Sequence, residues 1–344
     1  MLKFFRRIRQ KLLSEGKLRR YFVYAIGEIF LVVIGIVIAL QFNNWNEERK
    51  NRDNIEVLLD KIETDIRIDL DYASSVISEY KKKDSLVQLV LKDQVSKQDY
   101  LDNPELRNLL TFRLYYGPIQ DNFLKLVSKE EDVPKEYTAL VDQSKLISLA
   151  YRDIELGVEN WNKSVMENYE YLTHHLPRHG MTDSLSINKE IDFFLTEKSY
   201  RGKVNLSNKM MREALFYCAN YRHTSLIMLI NLKQLRERFD KVQIQKLLSQ
   251  FDLTPFDRIN CQTSFEKSDP DLIQAYLLLN LSKEPVQLRR RSANETSYTI
   301  IDLKPGQIRR RTVFKGPTDI YEQVAEGSCI ESYTSRNEGY LLIE

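Results

Sequence analysis

The strongest pattern along the chain is a nearly unbroken apolar run over Tyr21–Leu40, in the string YFVYAIGEIFLVVIGIVIALQFNNWN. At about 1.5 Å per residue, about 20 such residues match the roughly 30 Å hydrocarbon core of a bilayer. Tyr24 and Trp45 are about 31 Å apart along such a helix, which puts an aromatic ring at each water interface. The run predicts a transmembrane helix over 21–42. A cleavable signal peptide would instead end at a small-residue cleavage site, and this run leads into polar residues.

Beyond this run, apolar residues recur every three or four positions, which is the period of an amphipathic helix. The long helices predicted from this period cover about 46–94, 134–176 and 208–248. Two short helices are expected within 104–130, separated at Gly117 and Pro118, because both residues interrupt helical hydrogen bonding. Together these segments predict an elongated, mostly antiparallel helical bundle over 43–252.

The pattern changes at Thr254, after which short β-branched and aromatic runs alternate with turn residues. The predicted strands cover 275–281, 285–291, 297–303, 308–314 and 320–324. A turn at 304–306, Lys-Pro-Gly, is expected to send 308–314 back beside 297–303, with 286–291 flanking the pair. The last segment therefore predicts a small β-sandwich-like domain over 253–344, and the fold class expected for the chain is α+β.

Charge around the apolar run indicates its orientation. The preceding segment, 1–20, contains eight Lys or Arg residues against one acid, whereas 41–60 contains three basic and five acidic residues. Because basic flanks stay in the cytoplasm, the N-terminus is predicted to lie inside. The residues Phe4, Phe5, Ile8, Leu12 and Leu13 also share one helical face. Segment 1–20 is thus either an amphipathic helix on the anionic leaflet or only a basic topology signal.

The apolar run contains one acid and a row of small residues. Gly27, Gly35 and Ala39 fall on one helical face, where small residues allow two backbones to approach closely. Glu28 is costly in hydrocarbon and usually faces another helix or a polar cavity. These residues indicate self-association in the membrane. The alternative is a protonated Glu28 near the interface and glycines without a role.

The string YAIGEIFLVVIGIVIALQFNNWNEERKNR, preceded by FFRRIRQKLLSEGKLRRY, resembles the N-terminal signature of a family of single-pass Bacteroidota membrane proteins of unknown function. The resemblance covers residues 1–70. It implies a bacterial inner-membrane protein with a helical periplasmic part, and it implies no activity, substrate or catalytic residue.

The strings LLLNLSKEPVQL and YTIIDLKPGQIRRRTVFKG resemble the β-domain of the von Hippel–Lindau tumour suppressor family. They share the order of Asn-x-Ser/Thr, Pro-Val, Leu-x-Pro-Gly and Tyr/Phe-x-Gly over about 50 residues, and the resemblance implies a β-sandwich. Ile320 stands where a tryptophan is expected, and no histidine follows Gly316. No peptide-binding residue is therefore carried over.

Catalytic motifs do not stand out in this chain. It has no GxxxxGK[ST], GxGxxG, HExxH or GxSxG string, and 11 glycines in 344 residues leave few positions for cradling phosphates. His174, His175 and His179 are the best metal candidates, since imidazoles bind transition metals. Pro177 interrupts their helical spacing, however, and histidines at a helix C-terminus complement its dipole. No cofactor is expected.

The three cysteines divide into two groups. Cys218 lies on the apolar stripe of the third long helix, which favours a buried inert thiol over a nucleophile. Cys261 and Cys329 fall in the predicted β-domain. The predicted orientation places this domain in an oxidising compartment, where the two could pair as a disulfide.

Two basic triplets, 289–291 and 309–311, fall on predicted strands, where alternate residues share a face. Arg289, Arg291, Arg309 and Arg311 could form one anion-binding surface if the strands are neighbours. The alternative is a solvated sheet surface balanced by nearby acids.

Together these patterns predict a membrane-anchored envelope protein that acts as a non-catalytic interaction, scaffold or sensing module. The alternative is a metal-binding protein or enzyme built on His174, His175 and His179. The expected partners are the lipid bilayer, a second copy or another membrane protein, and an anionic lipid or polysaccharide. Nucleic acid is excluded if the domain lies outside the cytoplasm.

Overall fold

The computed structural model describes residues 18–261, 274–292, 297–313, 319–325, 327–335 and 338–344. The α+β fold class is confirmed, with helices first and strands after them. The α-helices are α1 (Leu18–Leu91), α2 (Lys97–Asp102), α3 (Asp121–Ser128), α4 (Thr138–His175), α5 (Ser184–Thr196), α6 (Lys198–Glu237) and α7 (Lys241–Gln250). Short 3-10 helices cover Pro104–Asn108, Glu130–Asp132 and Lys135–Tyr137.

The strands are β1 (Thr254–Pro255), β2 (Asp257–Ile259), β3 (Gln274–Asn280), β4 (Val286–Ser292), β5 (Thr299–Leu303), β6 (Ile308–Val313), β7 (Asp319–Ala325), β8 (Ser328–Thr334) and β9 (Glu338–Ile343). They form a four-stranded sheet in the order β1-β9-β3-β6 and a five-stranded sheet in the order β2-β8-β7-β4-β5.

The chain divides into two compact units. The first ends at Val57 and also includes Glu131–Pro134, and the second comprises Leu58–Glu130 and Lys135–Glu344. The first unit contains the predicted span, an apolar part of α1 that is long enough to cross a membrane. The basic segment predicted over 1–20 lies outside the described residues, apart from its last three positions.

In the second unit, α1 and α4 both run antiparallel to α6. The contacts between α1 and α6 are Glu63–Lys233, Asp69–Tyr221 and Asp84–Arg212. Residue numbers rise along α1 as those of their partners fall along α6. The same reversal relates α4 to α6, through pairs Ser144–Met228 and Asn168–Ser207. The predicted α1 stripe is the buried face, and its members include Leu59, Ile62, Ile66, Leu70 and Ala73, each with 0% exposure.

The third long helix differs from its prediction. A single helix was expected over 208–248, but α6 begins at Lys198 and ends at Glu237, and α7 is separate. Arg238 adopts a left-handed conformation with φ 54°, which ends α6, and Asp240 and Gln243 form a capping box that starts α7. The apolar period continues through both helices, so the period alone concealed this break.

The four-stranded sheet lies between α6 and the five-stranded sheet. All seven residues of β3 are buried, which requires cover on both faces. Tyr276 and Leu278 pack with Leu288 and Tyr321 of the other sheet in the interior of the sandwich. The opposite face of the four-stranded sheet contacts α6 through β3 and β6. This arrangement produces three layers: helices, four-stranded sheet, five-stranded sheet.

Candidate functional site

The two arginine triplets lie on different sheets. Residues 289–291 belong to β4 in the five-stranded sheet, and 309–311 belong to β6 at an edge of the four-stranded sheet. The expectation that the turn at 304–306 returns β6 beside β5 is wrong, because β5 pairs with β4 and β6 pairs with β3. The neighbouring strands that a single arginine surface requires are therefore not formed.

Arg289 and Arg291 share one face of the five-stranded sheet, since side chains alternate along a strand. Arg289 Nη1 lies 3.7 Å and Arg291 Nε lies 3.6 Å from carboxylate oxygens of Glu322 on β7. The Arg289 guanidinium also lies 4.6 Å from the ring centroid of Tyr298. Glu322 is buried, and its single charge offsets one of the two guanidinium charges.

Arg290 and Arg311 come from different sheets and meet at Asp319. Arg311 Nε donates to Asp319 Oδ2 at 2.9 Å, and Arg290 Nη1 lies 3.8 Å from the same oxygen. The Tyr276 hydroxyl donates to this carboxylate as well. Asp319 is only 2% exposed. The two triplets are thus joined through one buried carboxylate.

Two tyrosines complete this cluster inside the sandwich. The hydroxyl oxygens of Tyr276 and Tyr321 are 2.6 Å apart. Burial raises the pKa of Tyr276, and the neighbouring Tyr321 and Asp319 raise it further. The phenol therefore stays protonated at neutral pH and acts as a hydrogen-bond donor. The arrangement fits a structural role, the joining of the two sheets.

The remaining arginines of β6 face different surroundings. Arg310 lies on the opposite face of β6 from Arg309 and Arg311, and it acts electrostatically on Asp153 of α4. Partial desolvation by the surrounding protein lowers the pKa of Arg310, although the side chain is exposed, and Asp153 acts in the other direction. Arg309 is exposed. Of the four arginines predicted to bind anions, Arg289 and Arg291 thus share Glu322, Arg311 binds Asp319, and Arg309 faces solvent.

The three clustered histidines are engaged with protein groups or with each other. His179 Nδ1 contacts the Glu190 carboxylate, and both side chains are buried. His175 Nδ1 lies 2.9 Å from the Tyr171 carbonyl oxygen, and the His174 and His175 rings make an edge contact. Within the described ranges, no group of three His, Cys, Asp or Glu side chains is arranged to hold a metal ion.

The cysteines occupy two environments. A disulfide joins Cys261 to Cys329, with 6.1 Å between the Cα atoms. It links the chain just after β2 to β8, two strands that also pair directly. Cys218 is a buried free thiol in α6, and burial raises its pKa to about 12. Cys218 is therefore an unreactive thiol at neutral pH.

The small residues of the predicted span are exposed on α1. Gly27, Gly35 and Ala39 lie on the helix surface, and Glu28 is half-buried. A Cβ atom built at Gly27 or Gly35 would meet no atom within 4 Å. These positions leave room for close approach by another helix, and self-association stays a prediction.

A polar cluster that the sequence did not reveal lies between α6 and the four-stranded sheet. Glu338 of β9 accepts a hydrogen bond from Lys81 Nζ at 2.6 Å and lies 3.5 Å from Arg222 Nη1. Arg222 and the adjacent His223 are buried, and Arg222 also donates to the Phe251 carbonyl. The available signal was the position of two basic residues within an apolar stretch of α6.

A second unforeseen group, within the helical layer, is centred on Asp69. Both of its carboxylate oxygens accept from the Ile119 backbone N–H at 3.1 Å, and Oδ2 accepts from Tyr221 at 2.6 Å. Burial raises the pKa of Asp69 to about 6 in spite of these hydrogen bonds. Through these hydrogen bonds, the Asp69 carboxylate of α1 binds both the backbone at Ile119 and Tyr221 of α6.

Comparison with family models gives a match to part of the chain. Residues 28–111 match the model of DUF6090, a family of unknown function. Searches against curated proteins and against solved structures found no match to this chain. The chain is thus similar to the DUF6090 family over the C-terminal part of the apolar run and the segment that follows it.

Proposed function

We propose that this protein is anchored in a bacterial inner membrane by residues 21–42, with its N-terminus in the cytoplasm and its helices and sheets in the periplasm. There it acts as a non-catalytic interaction, scaffold or sensing module. The observation that carries the proposal is the exposure of the apolar part of α1. Its side chains from Phe22 to Leu40 include Ile29, Phe30 and Leu31, which are 64–65% exposed.

The energetics favour a lipid environment for these side chains. Burial of one large apolar side chain stabilises by about 1.5–3 kcal/mol relative to water. The exposed members of this segment number more than ten, so the cost of leaving them in water would exceed the stability of a typical domain. A bilayer removes that cost and leaves the helix backbone fully hydrogen-bonded.

Two further features support the proposed orientation. Eight basic residues precede the span and only three follow it within 41–60, which favours retention of the N-terminus in the cytoplasm. The disulfide between Cys261 and Cys329 suits a compartment in which disulfides persist.

The buried carboxylates and the clustered histidines are engaged by other groups of the protein. Asp319, Glu322 and Glu338 each engage basic side chains, and the Tyr276 hydroxyl donates to Asp319. The histidines at 174, 175 and 179 contact protein groups in the same manner. These contacts favour an interaction module over the alternative metal-binding protein or enzyme.

Protease accessibility tests the proposal. Protease added to spheroplasts that contain the full chain should digest the part beyond residue 46 and spare an epitope tag placed before Met1. Lysed spheroplasts, in which both sides are accessible, provide the control. Protection of the C-terminal part together with cleavage of the tag would overturn the proposed orientation, and recovery of the whole chain in the soluble fraction would overturn the anchor.

A further inference from the structure

His223 of α6 is completely buried, and two charged residues of the four-stranded sheet, Arg310 of β6 and Glu338 of β9, act on its ring electrostatically. Its Nδ1 lies 2.8 Å from the Ala219 carbonyl oxygen. A carbonyl only accepts hydrogen bonds, so Nδ1 carries the ring proton and Nε2 is the free basic position. No described residue forms a hydrogen bond with Nε2. A second proton would therefore enter a buried site that holds no acceptor for it.

The charges around His223 are mainly positive. Arg222 on α6, Arg310 on β6 and Glu338 on β9 act on the ring electrostatically. Glu338 is already engaged by Lys81 of α1 and by Arg222. Asp153 of α4 acts on Arg310, and β3 contributes no charged residue. The Glu338 carboxylate is thus already shared by two cations, Lys81 and Arg222, and can do little to stabilise a positive charge on His223.

We propose that His223 makes the contact between α6 and the four-stranded sheet sensitive to acid, so that its protonation opens this contact and loosens the sheet that loses its cover, while the helical layer stays folded. The device would respond to acidification outside the cytoplasm, so its biological use rests on the proposed orientation. Its chemistry is a property of the folded chain and does not depend on that orientation.

The direction of the effect follows from proton linkage. Burial lowers the pKa of His223 from 6.5 to about 4, and Arg222 acts in the same direction. In the opened form, the ring regains its ordinary value, so the opened form binds a proton that the closed form lacks. The closed form is thus fully favoured above pH 6.5. From well above pH 6.5 to well below pH 4, protonation favours opening by about 300-fold in total.

Two other groups titrate nearby, and they define the useful window. The pKa of Glu338 is lowered, despite burial, by Lys81 and Arg222. Its contribution to the stability of the closed form is therefore lost only below pH 4.5. Asp69 acts oppositely, because its raised pKa makes the helical layer more stable as the pH falls. The free energy of global unfolding therefore combines the opposing pH effects of His223 and Asp69. Local opening of the contact between α6 and the sheet, between pH 6.5 and 4.5, instead reports the titration of His223.

Hydrogen exchange on the full chain in detergent, read by mass spectrometry and corrected for intrinsic rates, measures this opening. Protection of β3 and β9 amides should fall by about 40-fold between pH 6.5 and 4.5, while the helical segment 59–70 keeps its protection. The H223N variant retains a donor near the Nδ1 position and should lose the pH dependence. H174N, which alters an exposed histidine, should behave as the parent does.

An unchanged protection of β3 and β9 in the parent, or an H223N variant that opens with acid as the parent does, would overturn the proposal. If H223N does not fold, the parent itself supplies the test. The NMR titration of the His223 ring should give a pKa well below 6.5 while the sheet stays protected. A ring that titrates near 6.5 without loss of β3 and β9 protection would also overturn it.

Discussion

The clearest perturbation of the β-sandwich is Asp319→Asn, which removes one buried charge and keeps the side-chain shape. Asp319 is 2% exposed and holds Arg311 at 2.9 Å and Arg290 at 3.8 Å. Breaking a buried ion pair costs about 3–5 kcal/mol, because the remaining charge is left without compensation. The Arg311 side chain is 34% exposed and regains some hydration. We therefore expect a loss of about 2–3 kcal/mol.

The assay is urea unfolding of the full chain in detergent, followed by circular dichroism. Asp302→Asn is the matched control, since Asp302 is exposed on β5 and accepts from Gln287 at 3.0 Å. Its expected effect is below about 0.5 kcal/mol. The combination of Asp319→Asn with Arg311→Gln should cost less than the sum of the two single changes, because each removes the other's uncompensated charge. Equal and small effects of Asp319→Asn and Asp302→Asn would refute the role given to Asp319.

Three further predictions concern other parts of the chain. Asp69 has a pKa of about 6 in the folded chain and an ordinary value of 3.8, so its protonation stabilises the parent as the pH falls from 6 to 4. Relative to Asp69→Asn, the free energy of unfolding of the parent, measured by urea titration, should rise by up to about 3 kcal/mol over this range. A parent whose pH profile matches that of Asp69→Asn would contradict this. Replacement of Cys261 and Cys329 by serine opens a link across 68 positions and should destabilise by about 4 kcal/mol in the same assay, whereas an unchanged midpoint would show that the link adds nothing. Gly35→Ile should weaken self-association of the span in a transmembrane reporter assay, and equal background signals for parent and variant would remove that idea.

Local periodicity was sufficient to predict the helices of the core. The α1 stripe that contains Leu59, Ile62 and Ile66 is fully buried, and Trp161 of α4 is 1% exposed. Such residues are predictable because one helical face must be apolar to pack. The break after α6 was not, since it depends on the left-handed conformation of Arg238 and on a capping box within a continuing apolar period.

Strand order was harder to predict than strand position. The turn at 304–306 suggested a hairpin, but the backbone N–H of Gly306 donates to the Asn280 carbonyl, and the N–H of Asn280 donates to the Gln307 carbonyl. These bonds direct β6 onto β3 in the other sheet. Which strands pair depends on how distant segments pack together in the core. A local turn signal contains no information about that packing.

The same limit applied to the charged residues. The sequence showed two arginine triplets, but not that Arg290 and Arg311 would share Asp319, because that contact joins two sheets. Likewise, Arg222 and Glu338 are distant in sequence and meet only when the four-stranded sheet packs on α6. The available signal was the presence of polar residues in an apolar stretch of helix. This signal identifies such residues but not the partners that they bind.

In the proposed orientation, the span at 21–42 separates a cytoplasmic N-terminus from an exported remainder. This orientation can be measured by labelling single introduced cysteines with a membrane-impermeant maleimide in intact spheroplasts. On a background in which Cys218, Cys261 and Cys329 are serine, Glu48→Cys should be labelled at once, and Ser14→Cys only after the membrane is permeabilised. Labelling of Ser14→Cys and protection of Glu48→Cys would contradict the orientation, and immediate labelling of both would contradict the anchor.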